Sequence, residues 1–223
     1  MELRGAKINF LGDSITEGVG ASSPDKIYHA CLARMAGLSE ARNYGFSGTR
    51  FALQDKGIPE YGKGGILDEN AFCVRWEMMS DDADAVIVFG GTNDYGHGDA
   101  PMGDMDDRTP ETFYGACHYV FSKLIVKYLG KPIVIMTPLH RSDEVQTVAQ
   151  KDSKKFGTLR DYVNVIREVA EYYSLPVLDL FAESGIQPAI PEIREKYMPD
   201  GCHPSDAGHE VVANKLKSFF ERI

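Results

Sequence analysis

No stretch of this 223-residue chain approaches the ~18 consecutive apolar residues that a membrane-spanning helix needs, so no membrane partner of that kind is expected. Positive charge is also scarce: 24 Lys and Arg face 33 Asp and Glu, a net charge of −9. Nucleic-acid binders draw affinity from clustered cations, and anionic membranes attract polybasic segments. Neither partner suits this chain. Only four cysteines occur, Cys31, Cys73, Cys117 and Cys202, and no two stand at C-x-x-C spacing. That argues against a zinc knuckle or a redox motif. Cys31 and Cys117 fall in helical apolar patterns, where a free thiol behaves as a small hydrophobe. Residues 1–7 lack the apolar core of a secretory signal and run directly into a strand-like segment. A reducing, cytoplasmic location is the expectation. His29, His97, His118, His140 and His209 show no H-E-x-x-H spacing, so a zinc hydrolase is not expected, nor any other metal or cofactor.

What remains is an ordinary globular composition, 43% hydrophobic and 26% charged. A chain of this length suits one domain, expected over residues 1–223, and is long enough to bury roughly 70% of its unfolded surface. Short apolar runs at 8–11, 42–46 (the weakest), 85–89, 133–136 and 177–181 alternate with helical patterns. Such runs read as buried parallel strands in βα units. The expected class is α/β: a three-layer α/β/α sandwich, flavodoxin-like, around a five-stranded parallel sheet with right-handed crossovers.

The later helices carry the clearest signals. Thr109-Pro110-Glu111 offers an N-cap, a first-turn proline and an acid. Phe113, Cys117, Val120 and Leu124 follow at helical spacing, and Gly130 marks a stop. Phe156, Leu159, Val163, Ile166, Ala170 and Tyr173 step by three and four, an amphipathic face. Ser205 is predicted to cap the last helix, with Val212, Leu216, Phe219 and Ile223 as its buried stripe. Shorter helices are predicted near 27–37 and 68–79. The non-periodic stretches 54–65, 95–108, 140–153 and 182–199 read as loops that crowd the rim at the carboxyl ends of the strands.

Polar clusters punctuate that rim: Gly12-Asp13-Ser14, then Gly48, then Gly91-Thr92-Asn93-Asp94. A further cluster, Asp200-Gly201-Cys202-His203-Pro204, precedes the last helix. A serine hydroxyl is a poor nucleophile until a base takes its proton, and an imidazole suits that task. The ring needs an acceptor on its other nitrogen, which Asp200 would supply to His203 across a turn at Gly201. The backbone amides of Ser14 and Gly48 and the side-chain amide of Asn93 would converge on an oxyanion.

In this order the blocks resemble the SGNH (GDSL) hydrolase family. Ser14 matches its nucleophile, Gly48 the glycine of its second block, Asn93 its oxyanion asparagine, and Asp200-x-x-His203-Pro204 its last block. The resemblance spans residues 12 to 204 and implies a flavodoxin-like sandwich and metal-free ester hydrolysis, often of acetyl or other acyl groups on sugars or lipids. The expected partner is then a small-molecule ester; the oligomeric state is not legible.

Other readings compete. Ser14-Ile15-Thr16-Glu17 fits an S-x-x-E capping box and could merely start a helix. Ser14-Ile15-Thr16-Glu17-Gly18 faintly resembles a flavin phosphate loop, which leaves Asn93, Asp200 and His203 without a task. An acyltransferase would use the same site with a sugar or amine as acceptor. Gly57-x-x-x-x-Gly62-Lys63-Gly64 lacks the Ser or Thr of a true phosphate loop. Asp99, Asp104, Asp106 and Asp107 lack calcium-loop spacing and read as a solvated loop. His97 and His140 sit on rim loops and are candidate substrate contacts. Tyr61, Trp76 and Tyr95 are candidates for an apolar wall, although core packing is the simpler role for Trp76.

Overall fold

The computed structural model of the chain describes residues 1–53, 68–97, 100–145 and 157–223. Its strands are β1 (Lys7–Gly12), β2 (Glu40–Gly45), β3 (Ala85–Phe89), β4 (Ile133–Met136) and β5 (Val177–Leu178). They form one five-stranded sheet in the order β2-β1-β3-β4-β5, with every pairing parallel. Register places Gly12 opposite both Gly45 and Phe89, so the carboxyl ends of β2, β1 and β3 are level. The order reverses between β1 and β3, which is where open α/β sheets bind ligands.

Alternate side chains feed opposite faces, as the period of a strand requires. Val86, Val88, Ile133 and Ile135 join one buried cluster, while Ala85, Ile87, Phe89, Val134 and Met136 join the other. The first cluster is covered by α5 (Phe113–Lys127) and α6 (Leu159–Tyr172). The second is covered by α2 (Tyr28–Ala36) and α9 (Asp206–Phe220). This is the expected three-layer α/β/α sandwich. Each fully buried Leu, Ile, Val or Phe in these layers contributes about 1.5–3 kcal/mol.

Several boundaries differ from the sequence reading, each for a local reason. Thr112, not Thr109, caps α5: its hydroxyl accepts from the Gly115 amide at 3.1 Å. The next two amides, of Phe113 and Tyr114, are taken by the carbonyls of Pro101 and Met102. The run 177–181 is cut after Leu178 because the Asp179 carboxylate accepts from Ala182 N and starts α7 (Leu180–Glu183). The segment 68–79 is broken into the 3-10 turn Asp68–Asn70, α3 (Phe72–Arg75) and the 3-10 turn Trp76–Met78. The stretch 182–199 contains α8 (Pro191–Tyr197), opened by a proline at its first position.

In α6, Leu159, Val163, Ile166 and Ala170 are buried as predicted, and Thr158 with Asp161 forms a capping box; Phe156 lies outside the described residues. Ser205 caps α9, and Val212, Leu216 and Phe219 are buried, but Ile223 is exposed because the helix ends at Phe220. No helix among the described residues is long and apolar enough to cross a membrane.

Candidate active site

The chain leaves β1 and turns at once into the one-turn helix α1 (Ser14–Glu17). Asp13, not Ser14, caps it: the Asp13 carboxylate accepts from Ile15 N at 3.0 Å. Glu17 turns away, accepting from Ser47 N at 2.6 Å and from the Ser47 hydroxyl, so the reciprocal capping box at Ser14 is not made. Ser14 is freed as the first helical residue, 6% exposed.

Its Oγ lies 2.9 Å from His203 Nε2. His203 Nδ1 in turn lies 2.6 Å from Asp200 Oδ2. The other oxygen, Asp200 Oδ1, accepts from the amides of Cys202 at 2.8 Å and His203 at 2.7 Å. This side-chain-to-backbone turn fixes the carboxylate before it meets the ring. Burial works to raise the Asp200 carboxyl, but the hydrogen bonds from His203 and Cys202 outweigh it and hold the group below its usual range. Gly201 supplies the bend with φ of +79°, and a Cβ there would stand 1.7 Å from Ser142 Oγ. Ser142 clamps the same turn, donating its amide to Gly201 O at 2.9 Å.

Asn93 lies in the first turn of α4 (Thr92–His97), and its Nδ2 donates to Thr49 O at 3.0 Å. Thr49 follows Gly48, whose φ of +74° is the left-handed conformation that glycine adopts without strain. Asn93 is thereby tied to the Gly48 loop. Asp94 holds the next stretch of that loop, accepting from Phe51 N at 3.0 Å and Ala52 N at 3.1 Å. Burial pushes the Asp13 and Asp94 carboxyls up, each to about 6.

The other candidates separate. His140 Nδ1 meets Glu144 Oε2 at 2.7 Å, and the ring packs at a tilt against Phe181. Trp76 packs against the α5 and α6 side of the sheet and donates to Cys73 O, the core role. Tyr95 is buried and its hydroxyl donates to Asp143 O. Asp104 and Asp107 are absorbed by turn hydrogen bonds. Tyr61, Asp99, the stretch at 57–64 and the His97 side chain lie outside the described residues.

Sequence reasoning passed over Arg75, Arg141 and Ser142. Arg141 spans two loops, donating to Thr92 O and Oγ1 at 3.0 and 3.1 Å while pairing with Asp143 at 2.6 Å. Nothing in the pattern distinguishes such arginines from solvent-facing ones, because partners at Gly12, Thr49 and Thr92 lie far along the chain.

Residues 10–211 match the GDSL-like Lipase/Acylhydrolase family, and the chain belongs to it. It is a carboxylic ester hydrolase. A solved protein from Lactobacillus plantarum is 31% identical, with a TM-score of 0.82 over 98% of this chain and 98% of its own. A possible lipase from Chitinophaga pinensis shares the fold at 23% identity and TM-score 0.67, covering 97% of this chain and 98% of its own. The acetyl xylan esterase AlAXEase does so at 20% identity and TM-score 0.61, covering 95% and 98%. No curated protein matches the chain by sequence.

Proposed function

We propose that Ser14 is the nucleophile of this esterase, with His203 as its base and Asp200 orienting the ring. The observation that carries this reading is the unbroken relay from Ser14 Oγ through His203 to Asp200, at 2.9 and 2.6 Å. His203 takes the hydroxyl proton as Ser14 attacks the ester carbonyl. The Ser14 and Gly48 amides and the Asn93 side chain receive the oxyanion. The tetrahedral intermediate collapses as His203 protonates the leaving alcohol, giving an acyl-enzyme at Ser14. Water then releases the acid by the reverse sequence, with His203 again as base.

The substrates we propose are short acyl esters, acetyl above all, of a carbohydrate or small metabolite. The shared fold of the acetyl xylan esterase supports this assignment. An open site favours water over a competing acceptor, and the Asp200 side chain is 54% exposed and that of His203 22%. Hydrolysis is therefore preferred to acyl transfer. A flavin phosphate at α1 is disfavoured, because the buried Asp13 carboxylate already occupies the anion position at that helix start. The four free cysteines, three of them buried, support a reducing cytoplasm as the location.

Ser14→Ala should abolish p-nitrophenyl acetate hydrolysis with the fold intact, and turnover should fall as the acyl chain of the ester lengthens. Wild-type turnover by Ser14→Ala defeats the nucleophile assignment, and a preference for long chains defeats the acetyl one. Product analysis with acetylated sugars, with and without added acceptor sugars, separates hydrolysis from transfer.

A further inference from the structure

Arg75 ends α3 and is 6% exposed, yet the reaction sequence above gives it no task. Its Nη2 donates to the Gly12 carbonyl at 2.8 Å and to Thr49 Oγ1 at 3.3 Å. The Gly12 carbonyl also accepts from Phe46 N at 3.1 Å, and the Thr49 hydroxyl donates to Phe46 O at 2.7 Å. Thr49 O accepts from Asn93 Nδ2. One guanidinium therefore grips the backbone two residues before Ser14 and the residue after Gly48, and that residue grips Asn93. The segments bearing all the assigned oxyanion donors meet on it.

Stability alone explains this arrangement badly. Arg75 Nε and Nη1 are buried and have no hydrogen-bond partner among the described residues. An apolar side chain would fill the same space without desolvating a cation. Burial pushes the Arg75 pKa down, to about 10, with Asp13 and Glu17 opposing the shift, so the group still carries its charge at neutral pH.

We propose that Arg75 is a positioning residue for the oxyanion contacts. It sets the spacing of the Ser14 amide, the Gly48 amide and the Asn93 side chain through Gly12 and Thr49. Its buried charge adds to the field that a developing oxyanion meets. The proposal rests on the reading of Ser14 as nucleophile.

The test compares p-nitrophenyl acetate kinetics of the wild type with Arg75→Met, Arg75→Lys, Thr49→Val and the Arg75→Met/Thr49→Val pair, beside Ser14→Ala. Misplaced oxyanion donors weaken the transition state and spare substrate binding. Arg75→Met should thus lower kcat about 10- to 100-fold with KM within about threefold. Arg75→Lys should recover part of the loss, since its ammonium keeps the charge but reaches less far. Thr49→Val should cost less than Arg75→Met, and the double variant less than the product of the two single losses, because the two share the Arg75–Thr49 contact.

If Ser14→Ala is inactive while Arg75→Met keeps kcat within about twofold, the Arg75 role is overturned and the nucleophile stands. A raised KM at unchanged kcat overturns it equally. Activity in Ser14→Ala overturns the underlying reading instead. Should Arg75→Met fail to fold by circular dichroism, wild-type kcat in both Arg75→Lys and Thr49→Val overturns the proposal, and a lowered kcat at constant KM in either supports it.

Discussion

Ser14 Oγ and His203 Nε2 stand 2.9 Å apart although 189 residues separate them in the chain. The sheet makes the meeting possible: β1 delivers the serine to the rim, and the turn before α9 returns the imidazole to the same rim. The ring is aimed by Asp200, which is itself fixed by two backbone amides.

That division of labour between the two carboxylate oxygens makes Asp200→Asn informative. Asparagine keeps one oxygen for the amides of Cys202 and His203 but turns an NH2 group toward His203 Nδ1. The ring is then held in the tautomer that cannot accept a proton from Ser14. The expected loss in kcat is on the order of 10³–10⁴-fold with little change in melting temperature. Steady-state kinetics beside thermal unfolding measures both, and a variant within tenfold of wild type, roughly, would show that Asp200 does not set the tautomer.

Gly201→Ala probes the turn itself. It combines a φ of +79° with a Cβ position 1.7 Å from Ser142 Oγ. The expected destabilisation is about 1–3 kcal/mol. Activity should fall further than stability requires, because Asp200 and His203 flank the strained bond. Adding Ser142→Ala removes the Oγ overlap but leaves the residue-142 Cβ at 2.9 Å and the positive φ, so it should restore part of the lost stability. Full restoration, read from urea denaturation, would mean that the positive φ costs nothing here.

The polar residues of the candidate site were legible because Ser14 and Asn93 stand just after apolar runs and the Asp200/His203 cluster just before the last helix, and the alternation of runs with helical patterns sets the layer order. Arg75 was not: in a pattern at 68–79 that reads as one helix, an arginine looks solvated, whereas it lies on the buried face with Phe72. Asp13 was hidden differently. The spacing of Ser14 and Glu17 suggested that serine was the cap, whereas Glu17 is taken by Ser47 and the aspartate caps instead. The short β5 illustrates the same limit, since Leu180 and Phe181 continue an apolar run but Asp179 begins a helix. Long-range partners decide such cases, and local periodicity carries no record of them.

Asp94 links the site to pH-dependent stability. Burial raises its folded pKa to about 6 from the ordinary 3.8. Between those values the folded state holds a proton that the unfolded state has released, so this contribution is full below about pH 4 and is lost as the pH rises through about 6. Asp94→Asn cannot titrate and also forfeits one of the two acceptors for the Phe51 and Ala52 amides. The variant should be less stable than wild type at pH 4, and its deficit should shrink by on the order of 2–3 kcal/mol by pH 7. Urea midpoints at the two pH values give the comparison; a deficit that grows with pH would reverse the assigned direction.

His29 works in the opposite sense. Its ring is buried beside Phe10 and Tyr28. Burial pushes its pKa down from the ordinary 6.5 to about 4. Between those values the unfolded ring takes up a proton that the folded ring refuses, so the stability it contributes is present above about pH 6.5 and drains away toward pH 4. His209, also pushed down to about 4 by burial, adds to the same loss. His29→Phe keeps the aromatic contacts and removes one proton uptake. It should match wild type within about 1 kcal/mol at pH 7.5, since Phe is only slightly larger. At pH 4.5 it should exceed wild type by on the order of 2 kcal/mol. Chemical denaturation at both pH values reads the difference directly. Parallel pH profiles for the two proteins would mean that the folded His29 ring protonates as freely as the unfolded one.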